Sequence, residues 1–138
     1  MTMEIVRISV LIWHMGSAGY SRWGVLAGAV LLAAIVVATF VPEAWQIRLG
    51  LHWLAEHFLA YFVLTLAFCL ATRRPMAVAA ALVPLAIVLE SLQALTADRV
   101  ADAVTALFAA AGVAAAALNF DLAISLWGKA GSAPGTGR

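Results

Sequence analysis

The sequence has little charge, almost no cysteine and no run of basic residues. Charged residues make up 11% of the 138-residue chain, against about 25% in soluble proteins, and the net charge is only +1. A nucleic-acid partner is not expected, because it requires clustered Lys and Arg side chains. The single cysteine, Cys69, excludes an intrachain disulfide and a zinc site built from several cysteines.

Apolar residues dominate the composition instead. They make up 65% of the chain, against roughly 45–50% in soluble proteins. A soluble domain of this length could not bury so much apolar surface, so the sequence predicts a protein that lies in lipid. Strands are not expected, because apolar and polar residues do not alternate. The predicted fold class is therefore all-α.

Four apolar segments are long enough to cross a bilayer, which takes about 20 residues of helix. The predicted spans cover residues 23–41, 54–71, 76–95 and 102–122. Apolar sequence continues to Trp127, so a longer last span is a second interpretation. We therefore expect a four-transmembrane-helix bundle that occupies residues 23–127.

The two ends of the chain have a different character. Residues 1–22 are predicted to be an N-terminal extension with a short interfacial helix near residues 5–15, because that apolar stretch is too short to span and contains Arg7. A start at Met15 is an alternative interpretation. Residues 128–138 contain a Pro-Gly-Thr-Gly stretch and are expected to form a disordered tail.

The distribution of Lys and Arg predicts the orientation. With four spans, one side of the membrane would hold Arg7, Arg22, Arg73, Arg74, Lys129 and Arg138. The other side would hold only Arg48 and Arg99. Cytoplasmic loops carry the excess of Lys and Arg, so both termini are predicted to be cytoplasmic.

Small residues indicate where helices can approach each other closely. Gly24 and Gly28 form a small-xxx-small pair on the first span. The last span has a thin surface made of Ala106, Ala109, Ala110, Gly112 and Ala114. We expect both features to serve packing within the chain, with docking of another membrane protein as the alternative.

Polar side chains concentrate near the predicted outer ends of the spans. The candidate site residues are Glu56, His57, Tyr61, Glu90, Gln93, Arg99 and Asp102. His57 and Tyr61 are four apart and Glu90 and Gln93 three apart, so each pair shares a helix face. Charged groups at this depth favour inward-facing partners, and an intramembrane carboxylate is by default a functional hypothesis. The pattern predicts a polar pocket between helices, in which Arg99 or His57 is the partner of Glu90.

Simpler interpretations exist for several of these residues. Asp98 or Asp102 could cap the N-terminus of the last helix, where an acid complements the free amides. His57 could be an interfacial hydrogen-bonding residue. A metal site is not expected, because no dense ligand motif such as H-x-x-x-H is present. No cofactor is expected either.

Three motifs in order resemble the VanZ-like family of small bacterial membrane proteins. They are the run from Glu56 and His57 to Tyr61, then Glu90-x-x-Gln93, then Arg99-x-x-Asp102, within residues 41–117. The resemblance implies a four-helix protein of a bacterial inner membrane, in a family whose founding member is associated with teicoplanin resistance and whose biochemical activity is not established. Two positions depart from the family pattern. Trp53 and Leu54 replace a common Asp-Lys pair, and Ala106 replaces a common asparagine.

Three functions are compatible with this pattern. The leading hypothesis is a non-enzymatic envelope protein whose outer pocket binds the headgroup of a lipid, a lipid-linked saccharide or another amphiphile, with Arg99 suited to a phosphate or carboxylate. The second is an intramembrane hydrolase or transferase acting on a lipid-linked substrate, with His57 as general base and Glu90 as the acid or orienting group. The third is a scaffold that docks a membrane-protein partner.

Overall fold

The protein consists of four helices. The computed structural model describes residues 21–42, 45, 50–93 and 102–131. Its helices are α1 (Arg22–Phe40), α2 (Trp53–Thr72), α3 (Pro75–Gln93) and α4 (Ala103–Gly131). No strand occurs in these residues. The predicted all-α, four-helix fold is therefore confirmed. The predicted N-terminal helix and residues 132–138 of the predicted tail lie outside the described residues.

Each helix is long and apolar enough to cross a membrane. Their side chains are largely exposed, as expected of surfaces that face lipid, and α1 is the least buried of the four. The protein is accordingly a multi-pass membrane protein. Trp23 and Trp127 lie at one end of the bundle and Trp53 at the other, which fits interfacial belts at both membrane surfaces. The cytoplasmic placement of the termini stays a prediction.

Local sequence sets the turn between α2 and α3. Arg73 ends α2 in a left-handed conformation with a φ of 55°, and its N–H donates to the Cys69 carbonyl oxygen at 2.8 Å. Pro75 then opens α3 at a position where its missing N–H costs nothing. Because only Arg73 and Arg74 separate the helices, α2 and α3 are antiparallel neighbours.

Glycines place α1 directly against α2. A Cβ atom added at Gly24 would lie 2.9 Å from the Ala71 Cβ, and one at Gly28 would lie 2.8 Å from the Phe68 ring. The start of α1 therefore meets the end of α2, and the two helices are antiparallel. The prediction that this glycine pair serves packing within the chain is confirmed. A docking partner could not use the same glycine face while α2 occupies it.

The most extensive helix contact in the bundle is between α2 and α4. Gly112 makes it possible, since a Cβ there would collide with the Phe58 carbonyl oxygen. Around it, Ala109, Val113 and Ala116 are fully buried and form a stripe with helical spacing. The predicted thin surface thus contributes Ala109 and Gly112 to this contact, whereas Ala114 is exposed.

The core lies between α2, α3 and α4. It is built from Tyr61, Leu64, Leu82, Ala86, Ala109 and Val113. Helix α1 contacts α2 and α3, and no contact joins α1 to α4 in the described part of the chain. Helices α1 and α4 therefore lie on opposite sides of the α2–α3 hairpin.

Helix α4 is longer than the span predicted at residues 102–122. It continues to Gly131, so residues 128–131 are helical where the sequence predicted the start of a disordered tail. The additional length of α4 has a simple cause. Apolar residues continue to Trp127, no proline interrupts them, and Lys129 in the last turn complements the helix dipole.

Candidate functional site

Three helix ends meet at one end of the bundle and carry most of the candidate residues. We call the first turn of α2, the last turn of α3 and the start of α4 the polar end. Its described ionisable and amide side chains are Glu56, His57, Glu90, Gln93 and Asp102. The described Lys and Arg residues lie at the other helix ends. The charge asymmetry expected from the sequence therefore holds for these residues.

Glu90 is the central residue of this end. Its side chain is only 6% exposed, which makes it the only buried Asp or Glu in the described part of the chain. Gln93, one turn later on α3, donates from Nε2 to Glu90 Oε2 at 3.1 Å. The predicted pairing of Glu90 with Gln93 on one helix face is confirmed. A carboxylate removed from water in this way needs such donors, because its desolvation is costly.

The α2–α3 hairpin places His57 at the depth of Glu90. Glu90 follows Arg74 by 16 residues, and His57 precedes Arg73 by 16 residues. Both helices rise about 1.5 Å per residue, so the two side chains start from equal heights above the turn. Tyr61 lies one turn deeper on α2 and is buried. The hairpin thus brings residues of two predicted motifs to neighbouring levels.

His57 is held by its own helix rather than by Glu90. Its Nδ1 lies 2.9 Å from the Trp53 carbonyl oxygen, and its ring contacts the Trp53 ring edge to face, with centroids 6.2 Å apart. A carbonyl oxygen can only accept, so Nδ1 is the donor. In the neutral imidazole this leaves Nε2 as an unprotonated nitrogen. No hydrogen bond joins His57 to Glu90.

Asp102 serves as the N-cap of α4. Its Oδ1 accepts from the Val104 N–H at 3.0 Å, and its Oδ2 accepts from the Thr105 hydroxyl at 3.2 Å. The capping interpretation from the sequence is therefore confirmed for this residue. Thr105, which is 2% exposed, was not among the predicted residues. Its position three residues after an acidic N-cap was the signal that could have identified it.

Asp102 also lies away from the other candidates. Gly112 packs against Phe58, so Asp102 lies roughly two and a half turns beyond His57 along the bundle, about 13 Å at the rise of an α-helix. The predicted cluster therefore consists of two parts. Glu90 and His57 lie at one depth in the bundle, and Asp102 caps α4 nearer its end. Arg99 and Asp98 lie outside the described residues, in the segment that joins α3 to α4.

Substitution of Asp102 tests its role as the N-cap of α4. Replacing Asp102 by alanine is expected to destabilise the protein by about 1 kcal/mol, because two donors at the start of α4 lose their acceptor. Replacement by asparagine, an equally good N-cap, should lower the free energy of unfolding by only a few tenths of about 1 kcal/mol. The free energy of unfolding in mixed micelles, measured by circular dichroism, checks both values. Equal losses for the two variants would show that the charge, rather than the cap, matters.

The described residues contain no group of three or more His, Cys, Asp and Glu side chains that could hold a metal ion. His52, the second histidine near this end, instead caps α2, where its Nδ1 accepts from the Leu54 N–H at 3.4 Å. The chemistry available at the polar end is therefore that of a buried carboxylate, an amide and an imidazole. Such a set can bind a polar headgroup or transfer a proton.

Comparisons with protein-family models, with curated proteins and with solved structures give no match to this chain.

Proposed function

We propose that the protein is a VanZ-like integral membrane protein whose polar end binds the headgroup of a lipid, a lipid-linked saccharide or a related amphiphile, without chemical turnover. The observation that carries the proposal is the burial of Glu90 among apolar helices, with Gln93 as a hydrogen-bond donor. An intramembrane carboxylate is costly to maintain, and ligand or ion recognition is the usual reason for one. The motif order around His57, Glu90 and Asp102 supports the family assignment.

Recognition would use both signs of charge. Glu90 and Glu56 offer acceptors to the hydroxyl or amino groups of a headgroup. Arg99, in the segment between Gln93 and Asp102, would supply the guanidinium that pairs bidentately with a phosphate or carboxylate. The acyl or prenyl chain would lie along the apolar helix surfaces, which are exposed at this end, as at Leu59 and Val88.

Binding of a fluorescent polyprenyl phosphate carrying one sugar tests the proposal on purified protein. Glu90→Gln and Arg99→Ala are expected to weaken binding at least tenfold. Ser91→Ala is the matched control, because Ser91 is exposed and its hydroxyl only donates to the Ile87 carbonyl oxygen of its own helix. Lys129→Gln controls for loss of a cation at the other end. Wild-type affinity in both Glu90→Gln and Arg99→Ala would refute the proposed site.

An intramembrane hydrolase or transferase is the second candidate, and one observation favours it. The hydrogen bond from Nδ1 of His57 to the Trp53 carbonyl leaves Nε2 in the form that a general base requires. This base would lie at the depth of Glu90. Turnover of the same probe by wild type, together with its loss in His57→Ala and Glu90→Gln, would establish catalysis in place of simple binding.

A further inference from the structure

Three arginines gather at the end of the bundle opposite Glu90. Arg22 opens α1, and Arg73 and Arg74 form the turn between α2 and α3. The Ser21 N–H donates to the Ala71 carbonyl oxygen at 3.3 Å, which ties the start of α1 to the end of α2. Only about three residue steps of some 3.8 Å each connect Arg22 to Arg73 through this bond. Two arginine side chains can converge across that distance.

These arginines are not neutralised within the described part of the chain. All three side chains are exposed, and none forms an ion pair with a described residue. Glu56, Glu90 and Asp102 lie at the polar end. The remaining described acid, Asp121, is exposed on α4 and forms no ion pair with the three arginines. Three guanidinium groups in one place repel each other, so an external anion would stabilise them.

The surroundings indicate which anion. Exposed apolar side chains lie beside the arginines, namely Trp23 on α1, Leu70 on α2 and Met76 on α3. Helices α1 and α3 also begin here, so their partially positive N-termini face the same region. A free phosphate would interact only with the positive charges. A phospholipid would pair its phosphodiester with these charges and would also pack its acyl chains against the apolar side chains.

We propose that Arg22, Arg73 and Arg74 form a binding site for the phosphodiester group of an anionic phospholipid. Guanidinium groups match phosphate oxygens in a bidentate fork, which an ammonium group does not reproduce. Arg73 has a φ of 55°, a backbone conformation in which glycine is the usual residue at the end of a helix. The site is separate from the polar end and does not depend on the proposed function.

Lipid retention by the purified, full-length protein in detergent tests the site. Native mass spectrometry would count phosphatidylglycerol or phosphatidylcholine bound to wild type, to the variant R22Q/R73Q/R74Q and to Lys129→Gln. Lys129 is the matched control, because it is an exposed cation at the same end of the bundle on α4, which does not contact α1. Each basic side chain near an anionic headgroup contributes about fivefold in affinity, so the triple variant should bind phosphatidylglycerol on the order of 100-fold more weakly.

The other measurements decide the origin and the location of binding. Wild type should prefer phosphatidylglycerol to phosphatidylcholine, inorganic phosphate at millimolar concentration should not displace the lipid, and Lys129→Gln should bind as wild type does. Displacement by inorganic phosphate would overturn the lipid assignment in favour of a free anion. Unchanged binding in the triple variant, or an equal loss in Lys129→Gln, would overturn the site. Circular dichroism should confirm that the triple variant folds, since the side chains of Arg22, Arg73 and Arg74 are exposed and form no ion pair with a described residue.

Discussion

Replacing Gly112 by alanine is expected to lower the free energy of unfolding by about 2 kcal/mol, and replacing it by leucine is expected to prevent the native packing of α4. The reason is geometric. The first side-chain carbon at this position would overlap the Phe58 carbonyl oxygen. That oxygen belongs to the backbone of α2, so it cannot rotate away as a side chain could. The two helices would have to separate along their whole contact.

Separation of α2 and α4 matters because packing is the main force that joins helices in lipid. Lipid tails are as apolar as leucine side chains, so helix association depends on van der Waals contact and hydrogen bonds. Ala109, Val113 and Ala116 lose that contact together if Gly112 is displaced. The effect of one added methyl group should therefore extend over the stripe.

The same helix offers a control for Gly112. Gly128 has no atom within 4 Å of an added Cβ, so Gly128→Ala should be neutral or stabilising by up to about 1 kcal/mol, through helix propensity alone. Cys69 supplies the second measurement, since it is the only cysteine and its side chain is fully buried. A maleimide should label it faster in Gly112→Ala than in Gly128→Ala. Equal labelling and equal stability would contradict the close-contact role of Gly112.

The sequence predicted the fold well because the bilayer sets the length of its elements. The first three predicted spans begin and end within two residues of their helices. The end of α4 was missed because its apolar sequence passes the thickness of the hydrocarbon core without a breaking residue. Length predicts that a helix crosses the membrane, but it does not predict how far the helix extends beyond it.

The candidate site was predictable to a smaller extent. Spacing on one helix identified the contact between Glu90 and Gln93, and the bounds of the predicted spans placed His57 and Glu90 at the same end of the bundle. Spacing could not decide how His57 and Asp102 use their polar atoms. Both have backbone partners within four residues, and the competition between such local bonds and bonds across helices depends on packing.

Replacing Gln93 by leucine is expected to cost about 2 kcal/mol when Glu90 is present and close to nothing when Glu90 has also been replaced by leucine. In the single variant a buried carboxylate loses the amide that donates to it at 3.1 Å. In the double variant both polar groups are replaced by apolar ones, and no buried charge is left without that donor. The stability of the protein should therefore depend on the pair rather than on Gln93 itself.

A double-mutant cycle in mixed micelles measures this dependence. Glu90→Leu, Gln93→Leu and the double variant give the coupling free energy, and additive losses would mean that the hydrogen bond contributes nothing to the fold. Ser91→Ala, between the two residues in sequence but exposed, should couple to neither. The same cycle separates structure from binding. If Glu90→Leu is as stable as wild type while binding of the polyprenyl phosphate probe is lost, the carboxylate is retained for recognition, because an apolar side chain would satisfy the fold equally well.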